Sequence, residues 1–215
     1  MFDYDGTIHN TMLIYEKAFR KCFSWLVEQK FVQGKEISSK EISCWLGMNS
    51  KDMWNLFQPD LADDIKSVAS NKIGEEMLRG ISDKTAQWYL GGEEILTRLL
   101  KEGYEMIILS NCKTSYKEMN WNYFQMHRWF KEFYDCESFG FAPKEKIIKE
   151  IVKKYSGDFI VIGDRRSDFE AAKSIRAKFV GCTYGYGSGE ELQGADALAG
   201  SICELPEKID FLTDD

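Results

Sequence analysis

Phe2-Asp3-Tyr4-Asp5-Gly6-Thr7 is the stretch whose reading decides the fold. Met1 to Tyr4 reads as a short opening strand, and Asp5-Gly6-Thr7 as the turn that ends it. Side chains two apart on an extended chain point the same way, so Asp3 and Asp5 are expected to converge on one site. Gly6 frees the backbone for a sharp turn, and Thr7 offers a hydroxyl and an amide to an anion. A polar loop leaving any strand uses the same residues for turn chemistry alone. The motif therefore needs partners elsewhere in the chain.

Two further strand ends and a lysine supply them. Val161-Ile162-Gly163-Asp164-Arg165-Arg166-Ser167-Asp168 is an apolar run that ends in carboxylates. Asp168 taken singly is a favourable charge in a first helical turn. Together with Asp3 and Asp5, Asp164 and Asp168 form an expected cluster of four carboxylates. Such a cluster is costly unless a hard cation neutralises it, and oxygen ligands with partial hydration suit Mg²⁺. Ile107-Ile108-Leu109-Ser110-Asn111 ends in a hydroxyl and an amide, both able to donate to phosphate oxygens. Lys144, in Ala142-Pro143-Lys144-Glu145, adds a fixed positive charge, with Lys146 as the alternative because both precede the Ile147-Ile148 face.

Between these motifs the pattern changes once. From Thr11 to about Ile81 nearly everything reads as helix, with Leu13, Phe19, Cys22, Phe23 and Leu26 broadly on one face. Ser38-Ser39-Lys40-Glu41 has capping-box form, Gly47 is a stop, and Ser50 is a cap for a helix ending before Pro59. A longer helix is expected from Leu61 to Leu78, with Gly80 beyond it. Phe19, Phe23, Trp25, Trp45, Trp54 and Phe57 read as the core of this helical part. From Gly91 short apolar runs alternate with helices, with strands at Met106–Leu109, Phe133–Glu137, Phe159–Ile162 and Phe179–Cys182. A further helix is opened by Ser167-Asp168-Phe169-Glu170 in capping-box form. Alternation of this kind implies a parallel sheet covered on both faces. The expected architecture is α/β: a Rossmann-like parallel sheet core, residues 1–10 and 85–215, with an inserted all-helical cap domain, residues 11–84.

Charge and cysteine usage narrow the partners. A net charge of −7 disfavours nucleic acid or an anionic membrane as the main partner. The six cysteines are far apart, without Cys-x-x-Cys spacing, which points to reduced thiols and a cytoplasmic location. No apolar run is long enough to span a bilayer.

Asp-x-Asp-Gly-Thr near the start, a strand ending in Ser-Asn, a downstream Lys and Gly-Asp-x-x-x-Asp, in that order, resemble the haloacid dehalogenase superfamily. Leu46-Gly47-Met48, Gly92-Glu93-Glu94-Ile95-Leu96 and Gly185-Tyr186-Gly187-Ser188-Gly189-Glu190-Glu191-Leu192 are similar to its phosphoglycolate-phosphatase-like branch. That resemblance implies a phosphoric monoester hydrolase acting on a small phosphorylated metabolite, as a monomer or homodimer. It implies Asp3 as nucleophile and Asp5 as general acid and base. Gly6, Thr7, Ser110, Asn111 and Lys144 would hold the phosphoryl group. Asp3, Asp164, Asp168 and the Asp5 main-chain carbonyl would hold Mg²⁺. An acid at Asp5 suits phosphate esters, whose alkoxide leaving group needs a proton, and not dehalogenation. The alternatives are a β-phosphoglucomutase-like phosphomutase and a catalytically silent binding protein of the same fold.

One departure from the family pattern stands out. Only Met1 precedes Phe2, yet this strand is expected in mid-sheet between Met106–Leu109 and Phe159–Ile162. A short central strand leaves backbone groups of its neighbours open, to be met by water, by a loop, or by natural chain upstream of Met1.

Overall fold

A computed structural model describes residues 1–213 and divides the chain into two compact units. One comprises Met1–Asn10 with the chain from Trp88 onward, and the other comprises Thr11–Gln87.

The first unit is α/β. Its strands are β1 (Met106–Ser110), β2 (Phe130–Asp135), β3 (Ile160–Gly163), β4 (Lys178–Cys182) and β5 (Ala197–Ala199). β1 pairs with β2, and β3 lies between β1's side of the sheet and β4–β5, all pairs being parallel. Phe2 joins the two groups through single parallel bridges to Ile108 and Ile162. The opening segment is thus central, but its ladder is one bridged residue long. Phe2 N–H donates to Ile107 O, Leu109 N–H to Phe2 O, and Asp3 N–H to Ile162 O.

Alternation along the strands sends Ile107 and Leu109 to one face, where they cluster with Ile147, Ile148 and Ile151 of α7 (Lys144–Ile151) and Ala171 and Ala172 of α8 (Arg166–Ser174). α5 (Gly92–Lys101) buries Leu96 and Leu99 and packs against α9 (Leu205–Thr213). α6 (Thr114–Tyr123) connects β1 to β2. Each fully buried Ile or Leu here contributes about 1.5–3 kcal/mol. The expected strand Phe133–Glu137 starts earlier, at Phe130, because exposed Lys131 and Glu132 belong to it. β5, which contains only small residues and Leu198, lacked the apolar signal of a strand and was not expected.

The second unit is helical: α1 (Met12–Glu28), α2 (Ser39–Ser43), α3 (Ser50–Phe57) and α4 (Asp63–Ser82). Ser38 caps α2 in a full capping box with Glu41. Asn49, and not Ser50, caps α3 through the Asp52 amide at 3.0 Å. α4 runs through Gly80 instead of stopping before it. A Cβ at Gly80 would stand 2.8 Å from Ile14 Cγ2, so glycine there admits α1 and does not end the helix. Phe19, Trp54 and Phe57 are buried in this unit's own core, and half-buried Trp45 lies 4.6 Å from Phe57 and 4.9 Å from Phe19, ring to ring, whereas Phe23 and Trp25 are only half-buried. Leu13 is exposed, off the face expected for it.

No disulfide links cysteines among the described residues. Among the same residues, no helix is long and apolar enough to cross a membrane.

Candidate active site

Parallel strands deliver their carboxyl ends to one edge of a sheet, and four of the expected residues meet there. Asp3 follows the bridged Phe2, Asp164 follows β3, and Asp168 lies in the first turn of α8. One oxygen from each lies within 4.8 Å of the others, and all three residues are buried. Lys144, the first residue of α7, points its ammonium into this cluster. Its Nζ is 2.5 Å from Asp3 Oδ1 and 2.7 Å from Asp168 Oδ1. Lys146 is exposed, and of the two lysines it is Lys144 that meets the carboxylates.

The charges do not balance. Burial, then the neighbouring Asp168 carboxylate, raise Asp3 well above the usual carboxylate range against the pull of Lys144. The same two causes push Asp164 up to about 7. Burial acts to lower Lys144, but the charges of Asp168 and Asp3 overcome it and hold the ammonium protonated. An isolated ion pair would lower its carboxylate. Asp3 rises instead because burial, and then its carboxylate neighbours, outweigh the single ammonium, which leaves a formal excess of two negative charges among the four groups.

A hard divalent cation fits this set, since all three side-chain donors are oxygens and the excess charge is matched. Asp164 is also oriented from outside the cluster. Its Oδ2 accepts the amides of Tyr186 (2.6 Å) and Gly187 (3.3 Å), which leaves Oδ1 toward Thr7 Oγ1 at 3.5 Å. A Cβ on Gly187 would overlap the Asp164 main-chain oxygen, so only glycine allows the loop this close. Asp168 Oδ2 accepts the Arg165 amide at 3.0 Å. The helix therefore starts at Arg166, two residues earlier than a Ser167 cap would have it.

Asp5 departs from expectation. Its side chain is outside the carboxylate group, so the cluster holds three carboxylates and not four. Gly6, at φ +89°, turns the chain immediately after it, and the Tyr4 carbonyl collects the amides of Thr7, Ile8 and His9. Two-residue alternation fails where the chain curls. Asp5 Oδ1 accepts the Tyr116 hydroxyl at 2.9 Å, and Oδ2 is 3.5 Å from Ser110 Oγ. Ser110 is thus beside Asp5, whereas Asn111 Oδ1 accepts the Cys136 thiol at 3.0 Å.

Tyr116, His9 and Tyr184 were not singled out by their sequence. Tyr184 donates its hydroxyl to Thr7 O at 2.7 Å, pinning the turn. The spacing Gly185-Tyr186-Gly187 straight after β4 was a usable sign of close backbone approach. Nothing local marks Tyr116 or His9.

A family model described as haloacid dehalogenase-like hydrolase matches residues 1–182. A phosphoglycolate phosphatase of Vibrio vulnificus strain YJ016 is 22% identical over 160 residues, covering 70% of this chain and 68% of that protein. One of Vibrio parahaemolyticus is 23% identical over 159 residues, with the same coverage. Among solved structures, a phosphatase so described from Clostridium acetobutylicum superposes with TM-score 0.80 at 23% identity, over 98% of this chain and 96% of that one. A hydrolase from Pseudomonas syringae gives TM-score 0.76 at 19% identity, over 98% and 97%. With the family model spanning strands β1 to β4, the helical unit and every carboxylate of the cluster, the chain belongs to the haloacid dehalogenase-like hydrolases.

Proposed function

We propose that the protein is a phosphatase of small phosphate monoesters that works with Mg²⁺ and an aspartyl-phosphate intermediate on Asp3. The observation that carries this reading is the buried group of Asp3, Asp164, Asp168 and Lys144, whose excess negative charge calls for a cation. Phosphoryl transfer needs in-line positioning and neutralised oxygens more than it needs covalent versatility, and this group offers both. The phosphoglycolate phosphatases among the relatives support a small phosphorylated substrate.

In this reading an Asp3 carboxylate oxygen forms a bond to phosphorus as the ester P–O bond breaks, and Asp5 gives a proton to the leaving oxygen. Asp5 then takes a proton from water, whose oxygen attacks phosphorus. Inorganic phosphate leaves and the Asp3 carboxylate is restored. Lys144, Ser110 and Thr7 hold the phosphoryl oxygens. Asp3, Asp164, Asp168 and the Asp5 carbonyl would hold Mg²⁺, which supplies charge neutralisation when bound. The helical unit is assigned the choice of the organic part, because the core motifs account for a phosphoryl group alone.

Hydrolysis across a panel of phosphate monoesters, with and without Mg²⁺, tests the reading. Turnover that needs the metal and disappears in Asp3→Asn is expected. Metal-independent turnover, or full activity of Asp3→Asn, would contradict it.

A further inference from the structure

Asp5 is not held by the carboxylate cluster, and its surroundings are specific. Tyr116 Oη donates to Asp5 Oδ1 at 2.9 Å, and His9 Nδ1 is 3.2 Å from the same Tyr116 oxygen and 3.6 Å from Oδ1. A phenol has one proton to give. If it goes to Asp5, the Tyr116 oxygen must accept, which assigns the proton of His9 to Nδ1. Both rings are fixed: His9 is fully buried, stacks on Tyr4 at 5.1 Å with planes 1° apart, and meets Phe124 edge-on at 5.8 Å. Tyr4 in turn donates to Asn120 Oδ1 at 2.8 Å, and Asn120 Nδ2 donates to the Tyr116 carbonyl at 2.9 Å, closing the frame around α6. Oδ2 of Asp5 lies on the Ser110 side, 3.5 Å from Ser110 Oγ.

We propose that Tyr116 and His9 are positioning residues for Asp5, anchoring its carboxylate through Oδ1 and so fixing the direction from which it transfers the proton. The inference rests on the reading of Asp5 as general acid and base. A carboxylate anchored at one oxygen loses rotational freedom, and proton transfer then starts from a fixed direction. The same contacts would also arise if His9 and Tyr116 merely filled the core, so the test needs a readout that packing alone does not move.

That readout is leaving-group dependence. Esters with poor leaving groups need the proton from Asp5, whereas 2,4-dinitrophenyl phosphate does not. With Mg²⁺ present, Tyr116→Phe should lower kcat/KM for β-glycerophosphate about tenfold or more, a fraction of the usual general-acid contribution, and change that for 2,4-dinitrophenyl phosphate less than about threefold. In an Asp5→Asn background Tyr116→Phe should add nothing further. His9→Leu should reproduce the Tyr116→Phe pattern, and His9→Asn, which keeps an N–H donor, should restore much of it. These two variants carry the test if Tyr116→Phe fails to fold. Equal losses on all esters, no loss on any, or a further loss in the Asp5→Asn background would overturn the proposal. Failure of the unaltered protein to hydrolyse any ester would overturn the phosphatase reading, and this inference with it.

Discussion

The Lys144 ammonium stands 2.7 Å from Asp168 Oδ1 and also bonds Asp3 Oδ1, so one cation bridges two of the three clustered carboxylates. Removing it leaves three buried carboxylates facing each other. At pH 7 without divalent metal, Lys144→Met should lose about 3–5 kcal/mol of stability, the usual cost of stripping one partner from a buried pair. Mg²⁺ should recover part of the lost melting temperature, because it opposes the same excess charge. A variant as stable as the parent without metal would show that Lys144 does not neutralise the cluster.

Asp164 predicts a pH dependence whose sign can be worked out. Its folded value, about 7, is above its ordinary 3.8, so the folded state holds the proton more tightly. Its contribution is fully present below about 4 and is lost as pH rises through 7 in metal-free protein. Asp164→Asn cannot ionise. Its melting temperature relative to the parent should therefore climb across that window without metal, and the gain should shrink or reverse with Mg²⁺. A constant difference at every pH would contradict the charge account.

The amino terminus carries the opposite sign. The Met1 ammonium donates to Ile160 O at 2.7 Å, and burial lowers its pKa from 8.0 to about 5. A cavity of about 300 Å³ adjoins it, lined by Met1, Leu99, Tyr104, Met106, Ile160 and others. The one-residue ladder at Phe2 stops beside that space. Adding about three to five apolar residues before Met1, at ~3.3 Å each, should lengthen the ladder and fill part of the cavity. The expected rise in melting temperature is about 5 °C or more. The parent should also gain stability as pH rises from 5 to 8, since the unfolded amine binds the proton more tightly, and the extended chain should lack that gain. An extended chain that melts no higher, with the same pH slope, would mean that the short central strand is no defect.

Much of this was legible because parallel sheets present strand ends to one edge. Asp3, Asp164 and Ser110 each lie at the end of an apolar run, Asp168 sits in the first turn of the helix after β3, and Lys144 opens the α-helix after β2. What escaped reading depends on contacts distant in sequence. Asp5 turns from the cluster toward a hydroxyl 111 residues away, and Gly6 bends the chain where alternation would have continued. Gly80 resembles a helix stop until Ile14 is seen against it. Lys131 and Glu132 hide the start of β2, being exposed positions of a strand that is buried elsewhere.

The central claim is that Asp3 takes the phosphoryl group. Acid quench during steady-state turnover with Mg²⁺, followed by borohydride reduction and peptide mass mapping, tests it most directly. An acyl phosphate is reduced to an alcohol, so position 3 should appear in part as homoserine, and no reduction should occur when substrate is omitted. Reduction at another carboxylate, or rapid turnover with position 3 always recovered as unmodified aspartate, would contradict the account.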